Sequence, residues 1–426
     1  MINKLIPYVL KLKEKHPNLY YKIVALGKKL FKNRLGVYPR IMGNEFKAVK
    51  EVLKSSQWNM CYGKGLSHEK LEEDFCKFVD MPYAIAVGSG GVGLQMSMRV
   101  LGMKPGDEVI HQVDTCSATA FSVMNAGVTP IFSDISLDTL MLDVNDIQKN
   151  ISEKSKAIIA THMWGNPENM KAIKACADLN NLKIIEDGCL SLGAVIDNKQ
   201  VGSFGELAVF SFGCVKPIQG GEGGMIVTKD EAIARELRSL RHWGDRTTEY
   251  GVRDVTQLAW NGRMSEIVSA VVREQLKGYP AHLNFIRNSV FKLDKFLENF
   301  QGIAISLGDN IDINKSAFTQ IVFKIDPKYL SKDNLINSLR ANGIQLWHAN
   351  FELINSLSFF KNGSWKDWLI NSDIERIEKN YTREYKNAEN IFNNIGIGIS
   401  KMSFLSNSNY NFFTKCFVTA YKDSLL

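Results

Sequence analysis

The sequence predicts an α/β fold: a large domain with a mainly parallel, seven-stranded sheet between helices, followed by a smaller C-terminal α+β domain. Seven short apolar runs lie between residues 81 and 229, and amphipathic segments separate the earlier ones. Strands that alternate with helices need crossover connections, which cover both faces of a parallel sheet. After residue 262 the helical segments follow one another closely, with only two further strand candidates, which is typical of an α+β unit.

The strand candidates divide between the two predicted domains. Those of the large domain are Tyr83–Val87, Glu108–Val113, Thr129–Phe132, Ala157–His162, Lys183–Glu186, Leu207–Phe212 and Gly224–Val227. Those of the C-terminal part are Gln320–Ile325 and a run near Ile344–Trp347. A chain of 426 residues is long enough for two domains, which we place at residues 41–277 and 278–426 after an N-terminal extension of residues 1–40.

Helices are predicted where apolar residues recur at spacings of three and four. In the large domain they are Glu45–Ser55, Gly93–Leu101, Ala118–Ala126, Asn169–Leu179 and Arg263–Lys277. In the C-terminal part they are Ala281–Asn299, Lys332–Asn342 and Glu375–Asn394. The run at residues 405–411, rich in Asn and Ser, is predicted to be a loop.

Composition narrows the class of protein. With 45% hydrophobic and 23% charged residues the chain resembles ordinary soluble proteins and not disordered ones. The seven cysteines are scattered, and neither CxxC nor HExxH occurs, which favours free thiols in a reducing compartment over disulfides or a metal site. No apolar run approaches the roughly 18 residues of a membrane span, and the N-terminus lacks a secretory signal. The expected location is the cytoplasm.

The net charge of +7 belongs mainly to residues 1–36, which hold nine Lys or Arg and one acid, Glu14. The rest of the chain is nearly neutral, so the charge does not indicate nucleic-acid binding. Apolar residues, including Val9, Leu10, Leu26 and Phe31, are interleaved with the basic ones. This segment could pack on the protein body, contact the surface of an anionic membrane, or bind a protein partner, and the sequence leaves these alternatives open.

The residues most suggestive of chemistry lie between positions 184 and 224. One predicted strand ends on an acid, Asp187, a second ends near Ser211, and Lys216 follows shortly before a glycine-rich stretch at 220–224. Ligands of open parallel sheets bind at the carboxyl ends of the strands, and glycines allow the backbone to approach a ligand closely.

This set of residues suits pyridoxal 5′-phosphate (PLP) chemistry. A carboxylate beside the pyridine nitrogen keeps that nitrogen protonated, so that the ring accepts electrons from a substrate carbanion. A lysine forms a Schiff base with the cofactor and then acts as a general base.

The same region resembles the DegT/DnrJ/StrS-type sugar aminotransferases, a branch of the fold-type-I PLP enzymes. The matching segments are IEDGCLSLGA at 185–194, GSFGE at 202–206 and FSFGCVKPIQGGEGG at 210–224. Further matches are LGMKPGDEVI at 101–110, AGVTPIFSDI at 126–135, THMWGNPENM at 161–170 and NGRMSEI at 261–267. The resemblance extends over about residues 42–348 and implies a fold-type-I PLP transferase.

The resemblance also implies roles for individual residues. Lys216 matches the Schiff-base lysine, Asp187 the partner of the pyridinium nitrogen, and Ser211 a serine that bonds the cofactor phosphate. Asn261 matches an asparagine that reaches the phosphate from the partner subunit of a homodimer with shared sites.

The segment Ser89-Gly90-Gly91-Val92 occupies the place of the family's phosphate cup. It follows a predicted strand and opens a helix, where free backbone N–H groups and the helix dipole suit a phosphate dianion.

Three positions depart from the family pattern. Gly91 stands where a Thr is usual in the cup, Cys116 where an aromatic ring stacks on the pyridine, and Leu190 where His or Gln bonds the phenolic oxygen. The loss of stacking and of the phenolic hydrogen bond costs about 1 kcal/mol each, which covalent attachment through Lys216 can tolerate.

The resemblance implies transfer of an amino group from an amino acid, with L-glutamate as the expected donor, to a nucleotide-linked keto-sugar. Two alternatives remain. Some relatives dehydrate the sugar, but in those a His replaces the lysine that this chain keeps at 216. A non-catalytic relative that binds a nucleotide sugar is the other, motivated by Cys116 and Leu190 and opposed by Asp187, Ser211 and Lys216. Among the remaining polar residues, His162 is expected to be a buried, hydrogen-bonded histidine.

Overall fold

The computed structural model describes residues 41–60, 66–246, 254–305, 312–344, 346–348, 353–400 and 406–426. Its largest sheet has seven strands in the order β1-β9-β8-β5-β4-β2-β3. The strands are β1 Tyr83–Val87, β2 Glu108–Gln112, β3 Thr129–Ser133, β4 Ser155–Thr161, β5 Lys183–Asp187, β8 Leu207–Ser211 and β9 Gly224–Thr228. Only β9 runs against the others, since it pairs antiparallel with both neighbours. The predicted strands and the mainly parallel sheet are therefore confirmed.

Helices cover both faces of this sheet, as the crossover connections require. They are α1 Glu45–Ser55, α2 Ser67–Val79, α3 Gly90–Val100, α4 Ser117–Asn125, α5 Val144–Asn150, α6 Met170–Leu179 and α7 Glu231–Arg241. A short hairpin, β6 Val195–Ile196 and β7 Lys199–Gln200, follows β5. The strands are almost entirely buried, so their near-continuous apolar sequences reflect packing on both sides.

A helix of 32 residues, α8 Glu266–Leu297, connects the large sheet to a second one. The sequence predicted two helices here, Arg263–Lys277 and Ala281–Asn299, but the structure has one that continues through Pro280. A proline inside a helix costs about 3 kcal/mol. Packing on both sides of it compensates, because Val272, Leu276 and Tyr279 lie in one hydrophobic cluster, and residues from Ile286 to Leu297 lie in another.

The second sheet has four antiparallel strands in the order β10-β11-β13-β12. They are β10 Ile303–Ile305, β11 Gln320–Ile325, β12 Leu346–His348 and β13 Gly396–Ser400. The helices α9 Lys332–Ala341 and α13 Asn407–Ser424 pack with this sheet around Phe323, Phe413 and Phe417. The division into domains at residue 277 stays a prediction, and α8 spans that position.

The last hundred residues differ most from the prediction. The predicted helix Glu375–Asn394 is divided into α11 Ile374–Thr382, α12 Lys386–Asn390 and a π-helical turn at Ile391–Ile395, after the short helix α10 Ser358–Lys361. The predicted loop at 405–411 contains the start of α13, because Ser406 caps that helix by accepting a hydrogen bond from the Asn409 N–H. Side chains between residues 353 and 391, such as Phe360 and Tyr381, pack in the core beneath the large sheet.

Candidate active site

Asp187 is the last residue of β5, at the edge where the carboxyl ends of the parallel strands meet. Its side chain is 5% exposed. The Thr119 hydroxyl donates to its Oδ2 at 3.2 Å, and the Cys189 N–H donates to its Oδ1 at 3.1 Å. Each carboxylate oxygen has lone-pair capacity left after these bonds, so the group can accept a further donor.

The neighbouring Glu186 points to the opposite face of the sheet, because side chains alternate along a strand. Its carboxylate accepts hydrogen bonds from His162 Nε2 at 3.1 Å and from backbone N–H groups of residues 202, 204 and 205. The Glu168 N–H donates to His162 Nδ1 at 2.9 Å, so Nε2 carries the proton that Glu186 accepts. His162 is therefore the buried, hydrogen-bonded histidine that the sequence predicts.

The pKa of Glu186 reflects this network. Burial by itself would raise the pKa of Glu186, but the hydrogen bonds from His162 and from the backbone donors hold it below its usual value. The carboxylate therefore stays ionised inside the protein and fixes the turn at residues 202–205, which leads into β8.

The predicted phosphate cup lies at the start of α3. Ser89 caps the helix by accepting a hydrogen bond from the Val92 N–H at 3.1 Å. At Gly90 a Cβ atom would lie 3.0 Å from both Cys189 Sγ and Ser211 Cβ, so only glycine lets these segments approach. The beginning of α3, the loop after β5 and the end of β8 thus converge at one point.

Ser211 and Lys216 belong to the turn that connects β8 to β9. The Gly213 N–H donates to Ser211 Oγ at 3.4 Å, and the Lys216 N–H donates to the Gly213 carbonyl at 3.3 Å. Burial raises the pKa of the Cys189 thiol well above its usual value, the charge of Asp187 raises it further, and the charge of Lys216 lowers it. Both charges therefore act on the Cys189 thiol, whose Sγ borders the space at the start of α3.

Two of the departing positions also border this space. Cys116 precedes α4 and is half-buried, and it too influences the pKa of Cys189. Leu190 is buried, and its backbone carbonyl accepts a hydrogen bond from the Thr319 hydroxyl, which lies just before β11. The six cysteines in the described ranges are all free thiols, as the sequence predicts.

Asn261 is exposed on the surface of the chain. The Gly88 N–H donates to the carbonyl of the next residue, Gly262, at 2.7 Å. Asn261 therefore lies beside the end of the strand that leads into the cup. Its bond to the cofactor phosphate in the site of a partner subunit stays a prediction.

Thr119 is a residue of the site that the sequence reasoning missed. It lies one helical turn after Cys116 at the beginning of α4, so its hydroxyl faces the carboxyl end of β5. The spacing of three residues from Cys116 is the signal that could have found it.

These groups fit PLP. The glycines at 90 and 91 leave room beside the start of a helix for a phosphate, where N–H groups and the helix dipole attract an anion. Asp187 would offer a buried carboxylate to a protonated pyridine nitrogen, and Lys216 lies in the turn after β8, near enough for its charge to act on Cys189.

Comparisons with known proteins agree with this geometry. The model of the DegT/DnrJ/EryC1/StrS aminotransferase family matches residues 39–369. The GDP-perosamine synthase of Vibrio cholerae is 31% identical over 239 residues, which are 56% of this chain and 64% of that protein. This chain thus spans slightly less than two thirds of that relative's length. The pleiotropic regulatory protein of Geobacillus stearothermophilus is 30% identical over 72% of this chain and 80% of its own length.

The fold matches solved structures as well. An aminotransferase from Psychrobacter cryohalolentis superimposes with a TM-score of 0.80 at 23% identity, over 91% of this chain and 99% of that one. The likeness confirms the predicted fold class. The family match covers most of the chain and confirms both the predicted resemblance and PLP as the cofactor: the chain belongs to the DegT/DnrJ/EryC1/StrS aminotransferase family.

Proposed function

We propose that this chain is a PLP-dependent aminotransferase that moves an amino group from an amino acid, with L-glutamate as the first donor to test, to a keto-sugar carried on a nucleotide. The observation that carries the proposal is the convergence of the loop that begins at Asp187, the end of β8 at Ser211 and the start of α3 at the carboxyl edge of the large sheet, with Lys216 in the turn that follows β8. The name of one relative, a GDP-perosamine synthase, supports a nucleotide-linked substrate.

Each residue of the proposed site has its own role in the reaction. The bound cofactor supplies an electron sink for the substrate. Asp187, held in place by Thr119 and the Cys189 N–H, keeps the pyridine nitrogen protonated. Lys216 provides the amine for covalent attachment. Once released, this amine acts as a general base that takes up a proton from the substrate and later returns it. Ser211 and the start of α3 hold the phosphate.

Replacement of the lysine tests the proposal. Lys216→Ala should abolish transamination, because no other group in this role can form the covalent link or move the substrate proton. Lys216→Arg is the matched control: it keeps a positive charge but cannot form a Schiff base, so it should be equally inactive. Substantial turnover by either variant without added amine would contradict the assignment.

A regulatory or purely binding role is the second candidate, because one relative is named as a pleiotropic regulatory protein. The two roles differ in the spectrum of the purified protein. An aminotransferase should be yellow and its visible absorption should shift when the amino-acid donor is added, whereas a binding protein should show no shift. The dehydratase alternative is opposed by Lys216, which stands where that class has a His.

We also propose a homodimer in which Asn261 completes the site of the partner. Support comes from the exposure of Asn261 beside Gly262, which pairs with the residue before the cup. Sedimentation should show a dimer at micromolar concentration, and Asn261→Ala should weaken PLP binding without changing the mass. A fully active monomer would overturn this proposal.

A cytoplasmic location, with peripheral contact of residues 1–36 at an anionic membrane, is the last part of the proposal. Those residues lie outside the described part of the chain, and no helix within that part is long and apolar enough to cross a membrane. The full chain should sediment with anionic but not neutral vesicles at low salt, and a chain that begins at Gly36 should not. Equal behaviour of both chains would eliminate the contact.

A further inference from the structure

The first turn of α3 begins with two glycines, Gly90 and Gly91, and therefore lacks side chains there. Gly91 is the second residue of the helix and has no side chain of its own. The nearest atom to the position that its Cβ would take is Ser122 Oγ, at 3.3 Å, followed by Ser89 Oγ at 3.8 Å. The hydroxyl of Ser122 thus lies in contact distance of the place that a side chain on residue 91 would take.

Ser122 is well placed to act on the site and has no other evident task. It is 3% exposed, and none of the hydrogen bonds among the described residues involves its hydroxyl. It lies on α4 three residues after Thr119, whose hydroxyl bonds Asp187, so both side chains leave the helix on the same face. A hydroxyl that forms no bond to the protein is left available to a ligand or water.

Two other hydroxyls lie near the start of α3. Ser89 Oγ accepts the Val92 N–H at 3.1 Å as the helix cap, and Ser211 Oγ lies 3.4 Å from the Cβ position of residue 90. An anion there would meet backbone N–H groups and these hydroxyls, and the hydroxyl of Ser122 would add a donor on the side of residue 91.

We propose that Ser122 binds the cofactor phosphate, with its O–H donating to a phosphate oxygen in place of the hydroxyl that residue 91 lacks. The inference rests on the proposed function, since it takes PLP as the bound group. Helix α4 then supplies, through Ser122, the hydroxyl that Gly91 in the first turn of α3 lacks. A side chain at residue 91 would crowd this hydroxyl, because its Cβ would lie 3.3 Å from Ser122 Oγ.

Because Gly91 and Ser122 are in contact, the effect on PLP binding of a substitution at one should depend on the residue at the other. Ser122→Ala removes the hydroxyl and also frees the space next to residue 91, so a threonine at 91 can then enter and restore a donor. In the presence of Ser122 the same Gly91→Thr change crowds the Ser122 hydroxyl at 3.3 Å and should weaken binding.

The test is a titration of the cofactor-free full chain with PLP and, in parallel, with pyridoxal, which has no phosphate. Absorbance gives the dissociation constant of each. Ser122→Ala should weaken PLP binding roughly tenfold, as expected for one hydrogen bond to a charged group, and leave pyridoxal binding unchanged. Gly91→Thr should weaken PLP binding, and the double variant Gly91→Thr/Ser122→Ala should bind PLP more tightly than either single variant.

The outcomes separate this inference from the proposed function. Unchanged PLP affinity in Ser122→Ala, or an equal loss for PLP and pyridoxal, would overturn the role of Ser122 while leaving the cofactor assignment intact. Failure of the unsubstituted chain to bind PLP at all would instead overturn the proposed function. Ser122→Cys, which keeps the side-chain size with a weaker donor, should fall between the parent chain and Ser122→Ala.

Discussion

The two sides of β5 at its carboxyl end use the same kind of group in opposite ways. On one side Glu186 is enclosed by His162 and by the N–H groups of Gly202, Phe204 and Gly205. On the other side two donors among the described residues bond the carboxylate of Asp187, the Thr119 hydroxyl and the Cys189 N–H. One carboxylate has its acceptor capacity nearly filled by protein donors, and the other retains capacity for a ligand.

The difference shows how a sheet edge separates structural from functional chemistry. A fully bonded buried carboxylate stabilises the turn that leads into β8, whereas an incompletely bonded one is available to a cofactor. Because alternation along one strand sends adjacent residues to opposite faces, two neighbouring acids can serve these two purposes without competing. Substitutions on the two sides should therefore affect different measurements.

The largest effect is expected at Asp187. Asp187→Asn should reduce turnover by several orders of magnitude, because an amide cannot keep the pyridine nitrogen protonated. The thermal midpoint of the cofactor-free protein should change little, since an amide oxygen can still accept one of the two hydrogen bonds. Turnover near that of the parent enzyme would eliminate the proposed role, and Glu186→Gln provides the matched control.

Glu186→Gln should show the reverse pattern, with a large loss of stability. Breaking a buried, hydrogen-bonded charged network typically costs about 3–5 kcal/mol, which chemical denaturation of the cofactor-free protein would measure. A stability equal to that of the parent chain would show that the network is dispensable.

The contribution of Glu186 should also depend on pH. Its pKa is lowered in the folded protein, so the stabilisation is present above the unfolded value of about 4.3 and is lost as the pH falls through the folded pKa. The difference in unfolding free energy between the parent chain and Glu186→Gln should therefore shrink below about pH 4.

Glu168, which like Glu186 bonds His162, has a pKa shifted in the opposite direction. Its Oε1 accepts the Leu142 N–H, its buried Oε2 has no hydrogen-bond partner within the described ranges, and burial raises the pKa of this carboxyl to about 8. The neutral form is favoured on folding, so stability should decrease as the pH rises from about 4.5 toward 8.

Glu168→Gln removes that titration. The unfolding free energy of the variant should vary less between pH 5 and 8 than that of the parent chain. Relative to the parent chain, the variant should therefore become more stable as the pH rises from 5 to 8. Parallel pH profiles for the two proteins would show that Glu168 does not titrate in this range.

The sequence predicted the large sheet well because its strands are short, apolar and regularly separated by helices, so local patterns and tertiary structure agree. It failed where tertiary packing overrides local preference. Pro280 lies inside a continuous helix since both halves of α8 are buried, and the Asn- and Ser-rich run from 407 begins a helix because Ser406 caps it. The strand Gly396–Ser400 was missed because two glycines in five residues weaken the strand signal.

The candidate site was predictable only in part. Asp187, Ser211 and Lys216 were found because they end or follow strands in a recognisable order. Thr119 and Ser122 were not found. The spacing of Thr119 three residues after Cys116 was a signal that went unused, whereas Ser122, a serine on an ordinary helix, has no distinguishing pattern. Their placement depends on how α4 packs beside α3 and β5, which the structure alone shows.

The central claim is that PLP binds covalently to Lys216 beside Asp187. Its most direct test is to reduce the PLP-loaded protein with borohydride, digest it, and locate the phosphopyridoxyl group by mass spectrometry. The account predicts a single modified peptide that carries the group on Lys216, with none after Lys216→Ala. Modification at another lysine, or no incorporation into the parent chain, would contradict it.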